Sequence, residues 1–244
     1  MSTASGTMFC VLLYDDMETG TLYIVATPIG NLEDITYRAV RILGEVDYVL
    51  CEDTRVTGRL MERYDIVAKL RRYDAHASEG AHEQILADLA AGKRIALVSD
   101  AGTPGVSDPG VLLIQRAREA GARIEVIPGP SAVTAAVSLV GIPGNQFTFL
   151  GFVPQKKGRQ TFFERLPAHV QPVVFFESTH RILKTLEALR DVYPEATVYL
   201  ARELTKLHET LHVGAAGELL TELTETPVTQ KGEFVVVVDT SAAK

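Results

Sequence analysis

The reading of one stretch decides the fold: Leu22-Tyr23-Ile24-Val25-Ala26-Thr27-Pro28-Ile29-Gly30-Asn31. Its first six residues form a continuous, largely apolar run, the pattern of a strand buried on both faces; a half-exposed strand would alternate polar and apolar residues. Pro28, Gly30 and Asn31 break the run. Asn31 has the side chain to cap a following helix, in which Ile35, Ala39, Ile42 and Val46 recur at near-helical spacing. A buried strand, a tight small-residue loop and an amphipathic helix make the opening unit of a parallel sheet.

The same unit recurs downstream. Residues 48–51 read as a second strand, and Thr54 starts a second helix. A third helix runs over 78–91 and stops at Gly92, a good left-handed cap. Residues 95–98 form another buried strand, 111–120 a helix ended by Gly121, and 124–127 a strand. Pro130 opens a helix that continues to Val140, proline suiting a first helical turn. Five alternations of strand and helix predict a mostly parallel sheet with helices on both faces. Gly141-Ile142-Pro143-Gly144-Asn145 is the strongest break in the chain. Beyond it, strands are expected at 147–152, 173–176, 198–201 and 234–238, and helices at 158–166, 179–192 and 216–223. The expected organisation is a loose tail over 1–19, a first α/β domain over 20–141 and a second over 145–244. No internal repeat of domain-building length is present.

Composition narrows the function. The chain has 244 residues, 46% hydrophobic and 23% charged, which excludes a disordered or low-complexity protein. Two cysteines, Cys10 and Cys51, cannot build a disulfide framework and point to a reducing compartment. The apolar run 8–14 is too short for a secretory core and far short of a membrane span, so a soluble cytoplasmic protein is expected. The net charge of −7, from 24 basic and 31 acidic residues, argues against a protein that coats nucleic acid at large. Charge is unevenly spread, however. Asp15, Asp16 and Glu18 lie in the tail, while residues 154–184 carry Lys156, Lys157, Arg159, Arg165, Arg181 and Lys184 against Glu164 and Glu177. That basic stretch is either a solvated face or a polyanion contact.

In parallel sheets ligands bind beyond the carboxyl ends of the strands. Three such ends carry small, Gly- and Pro-rich loops: Thr27-Pro28-Ile29-Gly30-Asn31, Ser99-Asp100-Ala101-Gly102-Thr103-Pro104-Gly105 and Pro128-Gly129-Pro130-Ser131-Ala132. Backbone amides and carbonyls in such loops come close to a ligand with little side-chain bulk. Asp100 adds a carboxylate suited to hydroxyls or an ammonium group. No G-x-G-x-x-G follows the first strand and no Walker A sequence occurs, which speaks against a Rossmann dinucleotide site or a P-loop. His208-Glu209-Thr210-Leu211-His212 is a literal H-E-x-x-H, the helical zinc-protease motif. Here β-branched Thr210 and the Val213-Gly214 that follows favour an extended segment, which separates the two imidazoles by about 13 Å. No metal is expected. A denser polar constellation follows in the second half: Glu177-Ser178-Thr179-His180-Arg181, Arg202-Glu203-Leu204-Thr205-Lys206 and Lys231-Gly232-Glu233. These strand-end charges fit either a structural salt-bridge network or a cleft that pairs cations for phosphate with carboxylates for acid–base work.

Seven strings, LYIVATPIGNLEDIT (22–36), CEDTR (51–55), ALVSDAGTPGVSDPG (96–110), PGPSAVTAA (128–136), FFESTHR (175–181), ARELTK (201–206) and KGEFVVVV (231–238), fall in the order and spacing of a known family. The chain resembles the bacterial 16S rRNA (cytidine-2′-O)-methyltransferases, members of the tetrapyrrole methylase superfamily, over about 22–239. The resemblance implies a two-domain α/β fold, mostly parallel in the first sheet and mixed in the second, with S-adenosylmethionine in the cleft between them. It also implies a homodimer that acts on 16S rRNA, within the small ribosomal subunit. The implied cofactor contacts are Pro28 and Ile29, then Asp100, Gly102 and Thr103, then Ser131 and Ala132, with Phe176 to Glu177 and Ala201 to Arg202 closing from the other side. Longer members continue past the last strand into a helical extension that this sequence does not contain.

The reaction implied is methyl transfer to a ribose 2′-hydroxyl, which needs the two reactants held in line and a base for a weak acid. From the clustering at strand ends, Glu177 or Glu203 is expected to accept the proton, directly or through water. Arg181, Arg202 and Lys206 are expected to hold flanking phosphates, arginine being suited to bidentate contacts.

Overall fold

The computed structural model describes residues 20–74, 77–107, 110–142 and 145–239; the tail predicted over 1–19 lies outside them. The first half alternates as the hydrophobic pattern predicts: β1 (Thr21–Val25), α1 (Tyr37–Glu45), β2 (Tyr48–Cys51), α2 (Thr54–Arg63), β3 (Leu70–Arg72), α3 (Glu79–Ala90), β4 (Arg94–Leu97), α4 (Gly110–Glu119), β5 (Arg123–Ile127) and α5 (Ala132–Val140). The five strands are parallel in the order β3-β2-β4-β1-β5. Every residue of β1 and β2 is buried, because helices cover both faces. Leu22, Leu50, Ile95 and Leu113 form the core on the α3–α4 side, and Val25, Ile42, Val49 and Ile127 the core on the α1–α2 side.

The second half is β6 (Thr148–Phe152), α6 (Arg159–Arg165), β7 (Val173–Ser178), α7 (Ile182–Val192), β8 (Thr197–Arg202), β9 (Thr210–Ala215), α8 (Ala216–Glu225) and β10 (Glu233–Asp239). Its sheet runs β6-β7-β10-β8-β9, with β6 and β7 parallel and the other neighbours antiparallel. One face packs on α6, α7 and α8 through Phe163, Leu186, Leu189 and Leu219. The other receives α5 through Val133 and Ala136, which meet Val174, Ala201, Val235 and Val237. The last helix before the Gly141–Asn145 break therefore packs on the sheet that follows it.

Local differences from the sequence reading have identifiable causes. Asn31 caps a single 3₁₀ turn, Leu32–Asp34, by accepting from the Glu33 amide. Thr36, whose hydroxyl accepts from the Ala39 amide, is the cap of α1. Pro130 lies outside α5, where Ser131 is the N-cap position. Residues 179–181 turn before α7, which starts at Ile182. The strands β3 and β9, absent from the reading, are edge strands that carry Arg71 and Arg72 or His212 and Gly214 and so lack a continuous apolar signature.

Candidate active site

The strand order explains where ligand chemistry gathers. β2, β4, β1 and β5 are successive neighbours and parallel, so the loops that leave their carboxyl ends lie side by side. The loops are also stitched together. Thr27 and Gly102 form an isolated antiparallel bridge, N to O at 2.9 and 3.1 Å. The Thr27 hydroxyl donates to the Ser99 carbonyl at 3.0 Å. The Thr103 hydroxyl donates to the Pro130 carbonyl at 3.1 Å, and the Asp53 amide to Asp100 Oδ1 at 3.1 Å. Four short loops thereby become one continuous wall.

Facing that wall is the end of the second sheet. Between them is a cleft of about 340 Å³, at the lower end of the range of roughly 300–1,000 Å³ common for small-molecule sites. Ile29, Asp100, Gly102, Thr103, Ser131 and Ala132 line one side. Phe176, Glu177, Ala201, Leu204 and Val235 line the other. Gly102 has φ +86°, and a Cβ there would lie 3.3 Å from Ile29 Cγ2, so the wall is bare backbone at this point for steric reasons. The halves also touch directly: a Cβ on Gly30 would lie 2.8 Å from the Leu204 carbonyl oxygen, which only glycine allows. Ser107, Glu203 and Thr205, all in loops around the cleft, hold positive φ without being glycine, a backbone cost of order 1–3 kcal/mol each that the surrounding contacts must offset.

The structure thus brings together on the cleft surface eight of the nine residues expected at the cofactor: Ile29, Asp100, Gly102, Thr103, Ser131, Ala132, Phe176 and Ala201. Pro28 is buried and does not line the cleft.

The expected catalytic set fares differently. Glu177 lines the cleft but is 2% exposed, and its carboxylate is fully committed. Oε2 accepts from Thr185 Oγ1 at 2.6 Å and from Arg159 Nη1 at 3.3 Å. Oε1 accepts from the Ser178 amide at 2.7 Å and pairs with Arg181 Nη2 at 2.8 Å. Arg181 is held further by the Val153 carbonyl and Ser178 Oγ. Arg202, expected at a phosphate, instead donates to three backbone carbonyls, Lys231 at 2.5 Å, His208 at 3.0 Å and Val228 at 3.3 Å, and is buried. Its guanidinium pins the end of β8 to the chain before β10. Glu203 does not line the cleft; it accepts from Lys206 Nζ and from the Glu233 amide, both at 2.9 Å. Burial pushes its pKa up, but those two donors outweigh it and hold the carboxyl below its usual range, which makes it a weaker base. Lys206 bridges Glu203 and Glu233 and is held above its usual pKa by them, against the opposing effect of burial. Of the two readings open for this constellation, these side chains form the salt-bridge network.

A carboxylate not singled out from the sequence also faces the cleft. Glu52, directly after β2, lines the cleft beside Asp100. It accepts a hydrogen bond from the Asp100 amide, and among the described residues no cation pairs with it. Burial above all, then the neighbouring Asp100 charge, raises its pKa, which makes it a stronger base than an ordinary glutamate. The signal was present: Glu52 sits at the carboxyl end of a buried parallel strand, like the three loops, but without their glycines and prolines. Elsewhere, the H-E-x-x-H segment is extended at its end and not helical. His212 lies on β9 with Nδ1 2.7 Å from Glu222 Oε1, and no group of three His, Cys, Asp or Glu able to hold a metal occurs among the described residues.

Fold and cleft together define a two-sheet α/β protein with a ligand-sized cleft between a parallel and a mixed sheet. The chain belongs to the tetrapyrrole (corrin/porphyrin) methylase family, whose model matches residues 21–220. Ribosomal RNA small subunit methyltransferase I of Escherichia coli O157:H7 is 46% identical over 226 residues, 92% of this chain and 79% of that protein. The protein of the same name from Thermotoga maritima is 43% identical over 201 residues, 82% of this chain and 90% of that one. Among solved structures, a diphthine synthase superposes with a TM-score of 0.71 at 16% identity, covering 90% of each chain. A cobalt precorrin-4 methyltransferase of cobalamin biosynthesis gives 0.69 at 18%, covering 91% of this chain and 95% of that one. These structures establish the fold. No helix among the described residues is long and apolar enough to cross a membrane.

Proposed function

We propose that this methyltransferase uses S-adenosylmethionine to methylate the ribose 2′-hydroxyl of a cytidine in 16S rRNA, acting in the cytoplasm on the small ribosomal subunit as a homodimer. The observation that carries the reading is the four-loop cleft in a chain 46% identical, over 92% of its length, to a ribosomal RNA small subunit methyltransferase. The cleft suits the cofactor chemically. The bare wall at Gly102, backed by Ile29, admits a ligand against the backbone. Asp100 offers a carboxylate to hydroxyl or ammonium groups, and Phe176, Ala201 and Leu204 supply an apolar surface for a planar base.

When bound, S-adenosylmethionine supplies an electrophilic methyl group on a sulfonium. The chain's own work is to hold both reactants and manage one proton. Ile29, Gly102, Thr103, Ser131 and Ala132 would fix the cofactor on the parallel-sheet side, and Phe176 and Ala201 on the other. Glu52, rather than Glu177 or Glu203, is the carboxylate free to accept the hydroxyl proton, since the other two are already committed to cations and backbone amides. Glu177 keeps Arg159 and Arg181 in place. The exposed Lys156, Lys157 and Lys184 provide positive charge that no carboxylate among the described residues pairs with.

Incubating the protein with methyl-labelled cofactor and small subunits that lack the modification, then mapping the label by nuclease digestion and mass spectrometry, tests the reading. Label on the 2′-oxygen of one cytidine is expected. Label on a base, or incorporation into a tetrapyrrole with none in rRNA, would overturn it. With the activity in hand, Glu52→Gln should cut the single-turnover rate about 100-fold or more while leaving cofactor affinity within twofold; a rate within threefold of the parent removes Glu52 from the proton path.

A further inference from the structure

One aromatic side chain stands out at the mouth of the cleft. In a regular strand Phe149 and Phe152, three residues apart, would face opposite sides of the sheet. They do not. Against β7, Phe149 pairs with Val174 and Phe152 with Phe176, so three residues on β6 span two on its neighbour. The extra residue is accommodated at Gly151, whose φ is +69°. This bulge rotates Phe152 onto the face occupied by Phe149 and Phe176, and bulges beside active sites commonly re-aim a side chain in this way. The Phe176 ring, inside the cleft, lies 5.0 Å from the Phe149 ring and 5.1 Å from the Phe152 ring.

Phe152 ends this row and stays 55% exposed while lining the cleft. The backbone irregularity that places it costs a ladder hydrogen bond and a left-handed residue, yet the ring gains little burial. A packing role accounts poorly for such an arrangement. The chain then runs directly into Gln155, Lys156 and Lys157, all exposed, before Arg159 turns inward to Glu177. On the facing lip, Ser107 Oγ would lie 3.3 Å from a Cβ on Gly151, so the two lips approach closely beside the ring.

We propose that Phe152 is the stacking platform for the base of the nucleotide being modified, an unpaired nucleotide drawn out of the ribosomal RNA, with Lys156 and Lys157 beside its backbone phosphates. The proposal rests on the rRNA reading and sharpens it. Every base has a flat π-face, so an exposed ring next to lysines is the standard way proteins grip unstacked RNA. A base laid on Phe152 places its own ribose toward the cleft, where the transferable methyl group is expected.

The test compares Phe152→Ala, Phe152→Leu and Phe152→Trp with the parent protein in methylation of small subunits that lack the modification. Cofactor affinity is measured separately by calorimetry. Phe152→Ala is expected to raise KM for the ribosomal substrate about 10- to 100-fold. Phe152→Leu, apolar but without a π-face, should be impaired nearly as much, and Phe152→Trp should return within threefold of the parent. Cofactor Kd should stay within twofold throughout. Unchanged KM in Phe152→Ala, full activity in Phe152→Leu, or a loss of cofactor affinity that accounts for the lost activity would each overturn the platform. Failure of the parent protein itself to methylate rRNA would overturn the functional reading, and the platform with it.

Discussion

Both sheets carry clusters of buried or half-buried charge, at opposite ends relative to the cleft. In the parallel sheet the cluster lies at the amino ends of the strands. The Asp88 carboxylate on α3 accepts from the Tyr48 hydroxyl at 2.9 Å, pairs with Lys93 at 2.7 Å and meets Arg71 at 3.3 Å. Asp47 accepts from the Arg94 amide at 2.8 Å, and Glu45 pairs with the Arg94 guanidinium at 2.9 Å. The carboxyl ends of the same strands carry Glu52 and Asp100, with which no cation pairs among the described residues. In the mixed sheet the charge lies at the cleft end, and Glu177, Arg202, Glu203 and Lys206 satisfy one another or backbone carbonyls there. The parallel side therefore presents available chemistry on a soft, backbone-lined wall, and the mixed side a rigid one. Distance from a cleft does not tell whether a charged side chain is available; its remaining hydrogen-bond capacity does.

The largest expected break in this comparison is Glu177→Ala. Removing one partner of a buried ion cluster leaves Arg159 and Arg181, both mostly buried, without their anion, and such losses cost about 3–5 kcal/mol. Urea unfolding should show that loss, and cofactor affinity should fall with it because β7 carries Phe176 into the cleft. Stability within about 1 kcal/mol of the parent would mean that Glu177 is held less tightly than its contacts imply, and would reopen it as a proton acceptor.

Asp88→Asn probes the same kind of cluster at the remote end. Burial pushes the Asp88 pKa up, but Lys93 and Tyr48 outweigh it and the carboxyl is held below its usual value. A depressed folded-state pKa stabilises the protein above the unfolded-state value near 4, and that stabilisation is lost as pH falls through the folded-state value. The variant should therefore lose about 2 kcal/mol at neutral pH, and the gap should close as the solution is acidified below pH 4. Cofactor Kd should not change. An affinity loss as large as that of Glu177→Ala would erase the distinction between the two ends.

How much of this was legible in the sequence follows the same division. Strands buried on both faces announce themselves as apolar runs, so β1, β2, β4 and the core strands of the mixed sheet were readable. The edge strands β5 and β6 were readable because Ile124, Val126 and Ile127 or Phe149, Leu150 and Phe152 keep them apolar; with these strands came the three glycine-rich loops. The edge strands β3 and β9 were not, since Arg71 and Arg72 in one and Thr210, His212 and Gly214 in the other interrupt any apolar run. The polar constellation of the second half was legible as a cluster but not as a function. Whether Arg202 meets phosphate or three carbonyls depends on where Lys231, His208 and Val228 arrive, and these contacts span up to 29 residues of sequence. Phe152 was hidden for a further reason: a one-residue bulge reverses the face that strand alternation predicts.

The smallest effect concerns the wall itself, and it needs a matched pair. Gly102 and Gly121 both hold left-handed backbone, at φ +86° and +74°. Replacing either by alanine forces a Cβ into a conformation disfavoured by about 1–2 kcal/mol, so both variants should show a similar small loss in thermal or urea stability. They differ in what the new atom meets. At Gly121 nothing lies within 4 Å of it; at Gly102 it meets Ile29 Cγ2 at 3.3 Å, and Ile29 must give way by a few tenths of an ångström. Gly121→Ala should therefore leave cofactor Kd unchanged. Gly102→Ala should weaken it about tenfold, because Ile29 lines the cleft and the Thr27–Gly102 bridge holds two of the four loops together. Equal affinities in the two variants would show that the ligand does not lean on the parallel-sheet wall, and that the rigid side of the cleft does the holding.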